Sequence, residues 1–125
     1  SGKYATSLIA GRNHVCAKRN TGDVVCWGYN DGHALGRGDI SDTAHIGNQA
    51  YEMGDYLRPV EFPAGRSIKH FSAAGLGWHT CAIMDDDNVV CWGWNESGQC
   101  GIGHIYVFTP TRQYDKNVRI TCSVC

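Results

Sequence analysis

Short runs of apolar and β-branched residues, separated by clusters of turn residues, extend along most of the chain. Such runs are typical of strands, and glycines interrupt every window long enough to form a helix. The turn residues at 20–23 and 85–88 each separate two runs, as in a β-hairpin. The pattern therefore predicts an all-β chain with strands at residues 14–18, 24–28, 67–73, 80–84, 89–94 and 118–122.

The same motifs recur at one fixed spacing. His-x-Cys-Ala begins at His14 and again at His79, and Val-Val-Cys-Trp-Gly begins at Val24 and again at Val89. The first unit carries an extra polar stretch, and without it the period is about 50 residues. A repeat of this length, built from short strands, is typical of one β-propeller blade of about four strands.

We therefore interpret residues 1–125 as a single partial β-propeller with two blades and a stub. The predicted parts are a first repeat at 1–38, an inserted loop at 39–58, a second repeat at 59–109 and the start of a third repeat at 110–125. Two blades are too few to close a ring, so their sheet edges and apolar faces need cover. We expect other protein chains to cover the open blade edges.

The two predicted hairpins place four cysteines in register. Residues 16 and 26 lie symmetrically about the turn at 20–23, and residues 81 and 91 lie symmetrically about the turn at 85–88. Directly opposed residues of an antiparallel pair bring their Cβ atoms to roughly 4.5–5.5 Å, which a disulfide tolerates. The spacing predicts the disulfides Cys16–Cys26 and Cys81–Cys91.

Three further cysteines complete an odd total of seven. They are candidates for a third disulfide, in which Cys100 bonds either Cys122 or Cys125, or for interchain thiols. A high cysteine density indicates an oxidising compartment or metal ligands. We therefore expect an extracytoplasmic location, meaning that the chain is secreted, extracellular or in an organelle lumen.

The second unit resembles a known repeat family. From Gly75 to Gly103 it carries the motifs H-T-C-A, V-V-C-W-G-x-N and G-Q-C-G-x-G, which are similar to the repeat of the regulator of chromosome condensation family. More narrowly, it resembles a cysteine-bearing variant found in extracytoplasmic proteins. The resemblance implies a β-propeller, commonly of seven blades, used as an interaction platform, exchange factor or ligase-associated domain. The protruding element that the founding member uses for nucleotide exchange has no match here, so we do not expect that activity.

Composition and charge exclude several function classes. A net charge of -1 provides no basic surface to displace counterions from phosphates, so we expect no nucleic-acid partner. No apolar window approaches about 18 residues, so we expect no membrane insertion, and no signal peptide is visible. No catalytic Ser/His/Asp set, phosphate-binding loop or paired carboxylates stand out. We therefore expect neither enzymatic activity nor a bound cofactor.

Several motifs have a structural as well as a functional interpretation. The His-x-Cys pairs are imaginable metal ligands and residues 85–87 imaginable calcium ligands, but their repeat and hairpin positions favour structural roles, so we expect no metal. Residues 37–39 spell the integrin-binding tripeptide Arg-Gly-Asp, whose glycine we assign to a turn. Asn95 begins a sequon and is a candidate glycosylation site, although its repeat position favours capping of a turn.

The four tryptophans fall into two groups. Trp27 and Trp92 occupy the same repeat position, which favours packing between blades. Trp78 and Trp94 have no tryptophan counterpart in the first repeat, so they are candidates for an exposed contact surface.

These features favour a non-catalytic protein-interaction or scaffolding subunit, such as an accessory subunit of a larger assembly. The predicted interaction surface consists of Asp39, Tyr51, Met53, Tyr56, Trp78 and Trp94. One alternative is a lectin-like carbohydrate-binding module that uses Trp78, Trp94 and Tyr29. A weaker alternative is a thiol-redox protein that uses Cys122 and Cys125.

Overall fold

The computed structural model describes residues 2–38, 43–73 and 75–101, which form two antiparallel three-stranded sheets. The first sheet contains β1 (Ala5–Ala10), β2 (His14–Arg19) and β3 (Val24–Gly28). The second contains β4 (Ile68–Ala73), β5 (His79–Met84) and β6 (Val89–Gly93). Within these ranges the helical structure is one 3-10 turn, Gly54–Tyr56, and no helix has the length and apolar character to cross a membrane. The predicted all-β fold is confirmed.

The two hairpins fold with the same register. Cys16 lies opposite Cys26 in the first sheet, and Cys81 lies opposite Cys91 in the second. Both pairs form disulfides, and the Cα–Cα distance is 4.1 Å in each. The structure therefore contains both hairpin disulfides that the spacing predicts.

The core lies between the two sheets. Because side chains alternate along a strand, Cys16, Val24 and Cys26 share one face of the first sheet, and that face packs against the second sheet. On the second sheet the facing side chains include Ala82, Val90 and Trp92. Two sheets stacked in this way bury apolar side chains that neither sheet could bury alone.

The turn after β3 inserts between the sheets beside Trp92. The Trp92 indole is 0% exposed and donates a hydrogen bond from Nε1 to the backbone oxygen of Ala34 at 3.0 Å. Leu35 is buried in the same cluster, and a Cβ atom on Gly36 would lie only 2.9 Å from the indole nitrogen. Trp92 therefore packs between the blades, as its repeat position predicts.

The opposite face of the first sheet carries Ala17, Val25 and Trp27, which we call the Trp27 flank. Here the neighbour is the inserted loop. Leu57 from this loop is 8% exposed and packs against the flank together with Ile46. Trp27 is only partly buried, so the same repeat position has two different environments in the two sheets.

The inserted loop departs from the outer edge of the first sheet and returns to it. Ile46 bridges Gly28 through two backbone hydrogen bonds of 2.8 and 3.0 Å, and Pro59 bridges Val25 further back along β3. Both bridges are antiparallel, so the segments around residues 46 and 59 act as two pieces of one outer strand. The loop thus interrupts a strand rather than linking two finished blades.

Two other features differ from the sequence expectations. β1 (Ala5–Ala10) was not among the predicted strands, and each described sheet has three strands instead of about four. In the first sheet the bridges at residues 46 and 59 supply the missing outer edge. Because Pro59 pairs with the first sheet, the beginning of the predicted second repeat lies against the first blade. The repeat boundaries stay predictions, and the strand predicted at 118–122 lies outside the described residues.

Candidate interaction surface

Four aromatic rings from three loops lie side by side at one end of the two sheets. The Tyr29 and His45 rings stack with their centroids 4.6 Å apart, Tyr29 lies 6.4 Å from Trp78, and Trp78 lies 5.4 Å from Trp94. We call Tyr29, His45, Trp78 and Trp94 the aromatic row. It crosses the boundary between the sheets, because Tyr29 follows β3 and the two tryptophans flank β5 and β6.

Equivalent backbone hydrogen bonds in the two repeats determine where the rings lie. Tyr29 donates its backbone N–H to the Asn13 oxygen at 2.8 Å, and Trp94 donates to the Trp78 oxygen at 2.9 Å. Each contact follows a glycine with positive φ, 109° at Gly28 and 107° at Gly93. A Cβ atom at either glycine would lie within 2.5 Å of that same acceptor oxygen, so the close approach of the two loops requires glycine.

Polar groups hold the rings in place. The Arg12 guanidinium lies 4.9 Å from the centre of the Trp78 ring, and the Trp78 indole donates to the Asn13 side chain at 3.1 Å. The Tyr29 hydroxyl donates to Asp31 at 2.6 Å, and this hydrogen bond raises the pKa of Tyr29. The aromatic row therefore presents apolar faces bordered by a cation and a carboxylate.

His45 belongs to the row although the sequence offers no signal for it. Its Nδ1 accepts a hydrogen bond from the backbone N–H of Asn30 at 3.1 Å, so the neutral ring carries its proton on Nε2. That nitrogen lies 3.9 Å from Asp31. The bridge between Ile46 and Gly28 brings this residue of the inserted loop to the end of β3.

The tip of the inserted loop forms a second exposed surface. Tyr51 is 79% exposed, Met53 and Tyr56 are also exposed, and the two tyrosine rings meet edge to face at 5.5 Å. We call these three residues the insert tip. Glu52 orders the loop by accepting backbone hydrogen bonds from residues 47, 48 and 49 at 2.8 to 3.0 Å, and these bonds lower its pKa. Asp39, also predicted for this surface, lies outside the described residues.

Comparison with known proteins identifies the repeat. Residues 6–34 and 68–99 match the model of the regulator of chromosome condensation (RCC1) repeat, and the two matched segments coincide with the two sheets. The chain belongs to the RCC1 repeat family. The family resemblance of the sequence motifs is thereby confirmed.

The relatives that this chain matches are named for different functions. The ultraviolet-B receptor of Arabidopsis thaliana is 29% identical over 96 residues, which are 77% of this chain and 19% of the receptor. The secretion-regulating guanine nucleotide exchange factor of Mus musculus is 30% identical over 112 residues, covering 85% of this chain and 24% of the factor. The chain therefore spans about a fifth to a quarter of the length of these relatives.

A solved structure shows the same fold. Prp20p from Saccharomyces cerevisiae superposes with a TM-score of 0.61 at 25% identity, over 89% of this chain and 24% of Prp20p. The structure of that protein was described together with its binding properties to Gsp1p and histones.

Both RCC1 repeats use a buried asparagine to cap a turn. The Asn30 side-chain oxygen accepts from the Leu35 backbone N–H at 3.2 Å, and the Asn95 oxygen accepts from Cys100 at 2.9 Å. Asn95 is 0% exposed. The candidate glycosylation at Asn95 is therefore corrected, because a glycan on this fully buried amide is incompatible with the folded second repeat.

The remaining chemical candidates have structural surroundings. His14 is buried, and its Nε2 lies 2.8 Å from the Thr80 hydroxyl across the sheet boundary. In the described residues no group of three or more His, Cys, Asp or Glu side chains could hold a metal. The carboxylates of residues 85–87, the imaginable calcium ligands, have cationic partners: Arg66 pairs with Asp85 and Asp86, and Lys69 pairs with Asp87.

Cys100 is buried beside the second disulfide. It packs against Cys91, with Cys81 and Val89 alongside, and burial raises the pKa of its thiol to about 11. The proposed bond from Cys100 to Cys122 or Cys125 involves residues outside the described part of the chain, so this pairing stays a prediction. The same holds for the Cys122 and Cys125 redox pair.

Proposed function

We propose that this chain is a non-catalytic protein-interaction subunit whose partner binds the aromatic row and the insert tip. The observation that carries the proposal is the aromatic row, because three separate loops bring Tyr29, His45, Trp78 and Trp94 into one line. Aromatic side chains that are partly exposed and held in place supply large contact area with few rotatable bonds. For that reason they are enriched where proteins bind one another.

The borders of the row suit a protein partner. Arg12 lies over Trp78 and Asp31 lies beside Tyr29, so the border of the row carries one charge of each sign. Rim charges of this kind fix orientation and suppress wrong partners more than they add affinity. The relative Prp20p, with its binding properties to Gsp1p and histones, supports proteins as the class of ligand.

The disulfides support an extracytoplasmic place of action. Each hairpin of the described blades is closed by one, and such bonds persist mainly in oxidising compartments. Within such a compartment we place the chain as an accessory or scaffolding subunit of a larger assembly. The exchange activity named for one relative is not part of the proposal, since the chain spans 24% of that factor.

Carbohydrate binding is the second candidate, because Tyr29, Trp78 and Trp94 are the rings expected for it and they do lie together. Their planes are tilted by 32° between Tyr29 and Trp78 and by 58° between Trp78 and Trp94. At these angles a flat sugar chain cannot stack on all three rings at once. The thiol-redox alternative uses Cys122 and Cys125, which lie outside the described residues, so it stays a prediction. Cys100 does not add to it, because burial raises the pKa of its thiol to about 11 and so disfavours the reactive thiolate.

The test is a binding measurement with matched variants. A photo-crosslinking amino acid at position 29 or 45 should capture a protein in the native extracytoplasmic fraction, and the affinity for the isolated partner is then measured. Tyr29→Ala combined with Trp78→Ala should weaken binding at least about tenfold. Leu8→Ala is the control, since Leu8 is 65% exposed on β1, at the other edge of the first sheet from β3 and Tyr29.

Three results would overturn the proposal. The first is a protein partner whose affinity is unchanged by the double substitution. The second is glycan binding on an array that the same substitution abolishes, which would favour the lectin-like module. The third is accelerated nucleotide release from a small GTPase in the presence of the chain, which would assign it an exchange activity.

A further inference from the structure

His14 is buried at the boundary between the two sheets, next to the contact that holds Trp78. Only 2% of its surface is exposed, and its Nε2 lies 2.8 Å from the hydroxyl oxygen of Thr80 in the second sheet. Asn13, the residue before it, accepts the hydrogen bond of the Trp78 indole at 3.1 Å. A change in the charge of this imidazole therefore acts directly beside the aromatic row.

The surroundings of the ring suit a neutral imidazole. In the described part of the chain its second nitrogen, Nδ1, is buried and has no hydrogen-bond partner. A neutral ring can leave that nitrogen as a bare acceptor, whereas an imidazolium carries an N–H on both nitrogens. Burying a charged N–H without an acceptor costs considerably more free energy than burying a neutral acceptor. The closed boundary therefore favours the neutral form.

No carboxylate on the strands compensates a positive charge on His14. The six strands of the described residues contain no Asp or Glu, and β3 places Gly28 opposite His14. The charged and titratable side chains of these strands besides His14 are all basic, namely Lys18, Arg19, Lys69, His70 and His79. The turn between β1 and β2 adds Arg12, which is also basic. Burial, followed by the charge of His79, accordingly lowers the pKa of His14 from its ordinary value of 6.5.

The ring has no room to rotate and bring a charged Nδ1 to water. Gly11 lies so close that a Cβ atom there would be 2.2 Å from Cε1 and 2.6 Å from Nδ1 of His14. The backbone N–H of Gly11 also donates to the His14 oxygen at 2.9 Å, which closes the turn of residues 11–13 over the ring. Solvation of an imidazolium therefore requires this turn to move away.

The same turn supports two rings of the aromatic row. The Arg12 guanidinium lies 4.9 Å from the centre of the Trp78 ring, and the Arg12 backbone N–H donates to the Gly77 oxygen at 2.9 Å. Asn13 accepts from the Trp78 indole through its side chain and from the Tyr29 backbone N–H through its main chain. Movement of the turn would therefore release Trp78 and Tyr29 from the arrangement that forms the row.

We propose that protonation of His14 displaces the turn of residues 11–13 and thereby weakens the binding of a protein partner to the aromatic row. This regulation rests on the proposed function, because it concerns the same surface. Imidazole is the side chain whose charge ordinarily changes between about pH 5 and pH 8. The partner is therefore bound at neutral pH and released on acidification.

The first experiment follows the indole N–H signals of the whole, isotope-labelled chain by NMR from about pH 7.5 to about pH 5, without a partner. The Trp78 signal, assigned with Trp78→Phe, should shift in a titration with its midpoint below pH 6.5, because the hydrogen bond to Asn13 breaks. The Trp92 signal should stay in place, since its hydrogen bond involves the turn after β3. His14→Gln cannot gain the proton and should abolish the Trp78 shift, whereas the exposed His70→Gln should not.

A variant at His79 keeps the test decisive if His14→Gln fails to fold. Because the charge of His79 opposes protonation of His14, His79→Gln should move the midpoint of the Trp78 titration to a higher pH. An unchanged midpoint in this variant would overturn the proposal. So would a Trp78 signal that does not shift in the wild type, a shift that persists in folded His14→Gln, or a Trp92 signal that changes together with Trp78, which would indicate general unfolding.

The second experiment measures the affinity for the protein captured through position 29 or 45 at both ends of the pH range. The wild type should bind it at least about tenfold more weakly at the acidic end, and His14→Gln should lose less than about twofold. Equal losses in both would overturn regulation by His14. Failure of the proposed function gives a different result, because the affinity is then insensitive to Tyr29→Ala with Trp78→Ala while the NMR titration of Trp78 still occurs.

Discussion

The two sheets have nearly the same local structure and different surroundings. Their hairpins have the same register and the same disulfide position. Each hairpin also ends at a glycine with positive φ that directly precedes a ring of the aromatic row. Trp92 nevertheless is fully buried beside the turn that follows β3, whereas Trp27 is partly exposed under the inserted loop. The comparison teaches that the repeat motif determines the blade, and that the neighbouring segment determines how much each blade face contributes to stability.

The largest expected effect separates the two tryptophans. Trp92→Ala should lower the free energy of unfolding by about 3–5 kcal/mol, because it removes a buried indole and its hydrogen bond to Ala34. Trp27→Ala should cost about 1–2 kcal/mol, since part of that ring remains in contact with solvent. Chemical denaturation of the two variants measures the difference. Equal losses would contradict the asymmetry between the faces.

The next largest effect concerns the glycine that ends the hairpin in both sheets. Gly28→Ala and Gly93→Ala should each cost about 3 kcal/mol or more, because each Cβ atom would lie within 2.5 Å of a backbone oxygen. Gly22→Ala is the matched control, since Gly22 also has a positive φ but its Cβ would meet nothing within 4 Å. That change should cost only about 1–2 kcal/mol. Thermal melts of all three variants give the ranking.

Removing the disulfides sharpens the comparison further. Replacing Cys81 and Cys91 with alanine should cost about 2–3 kcal/mol through the lost constraint on the unfolded chain. Replacing Cys16 and Cys26 should cost more, because both sulfurs are buried between the sheets and their loss also leaves a cavity. Denaturation under non-reducing conditions tests the order. A larger loss of stability on replacing Cys81 and Cys91 would contradict the location of the core between the two sheets.

The smallest expected effect is the pH dependence of the sheet boundary. Burial, followed by the charge of nearby His79, lowers the pKa of His14 from its ordinary value of 6.5. The unfolded chain therefore binds this proton at a higher pH than the folded chain does. Stability should be fully present above about pH 6.5 and decline as the pH falls toward the folded pKa. His14→Gln should flatten the profile of melting temperature against pH, and the exposed His70→Gln should not.

The sequence predicts the hairpins well because their information is local. The turn residues and the cysteine spacing determine which residues of β2 and β3 face each other, so both disulfides follow. β1 (Ala5–Ala10) is harder, because five of its six residues are exposed and it carries no apolar pattern. It matches β4 (Ile68–Ala73) only after a shift of two residues, which the longer loop between β4 and β5 introduces.

The interaction surface was predictable only in part. Trp78 and Trp94 stand out because the first repeat has Asn13 and Tyr29 in their places, and the structure brings Tyr29 beside Trp78. Their meeting depends on the packing of one sheet on the other, which no local pattern encodes. His45 depends on the pairing of Ile46 with Gly28, a contact across an irregular loop. The sequon at Asn95 misleads because sequence alone does not reveal that the side chain is buried.

Peptide mapping of the intact, unreduced chain by mass spectrometry tests the central claim most directly, namely that the chain is built from two equivalent blades, each closed across its own hairpin. We predict crosslinked peptides that join Cys16 to Cys26 and Cys81 to Cys91. A crosslink from either hairpin to the other, or alkylation of any of these four thiols in the native protein, would contradict the account.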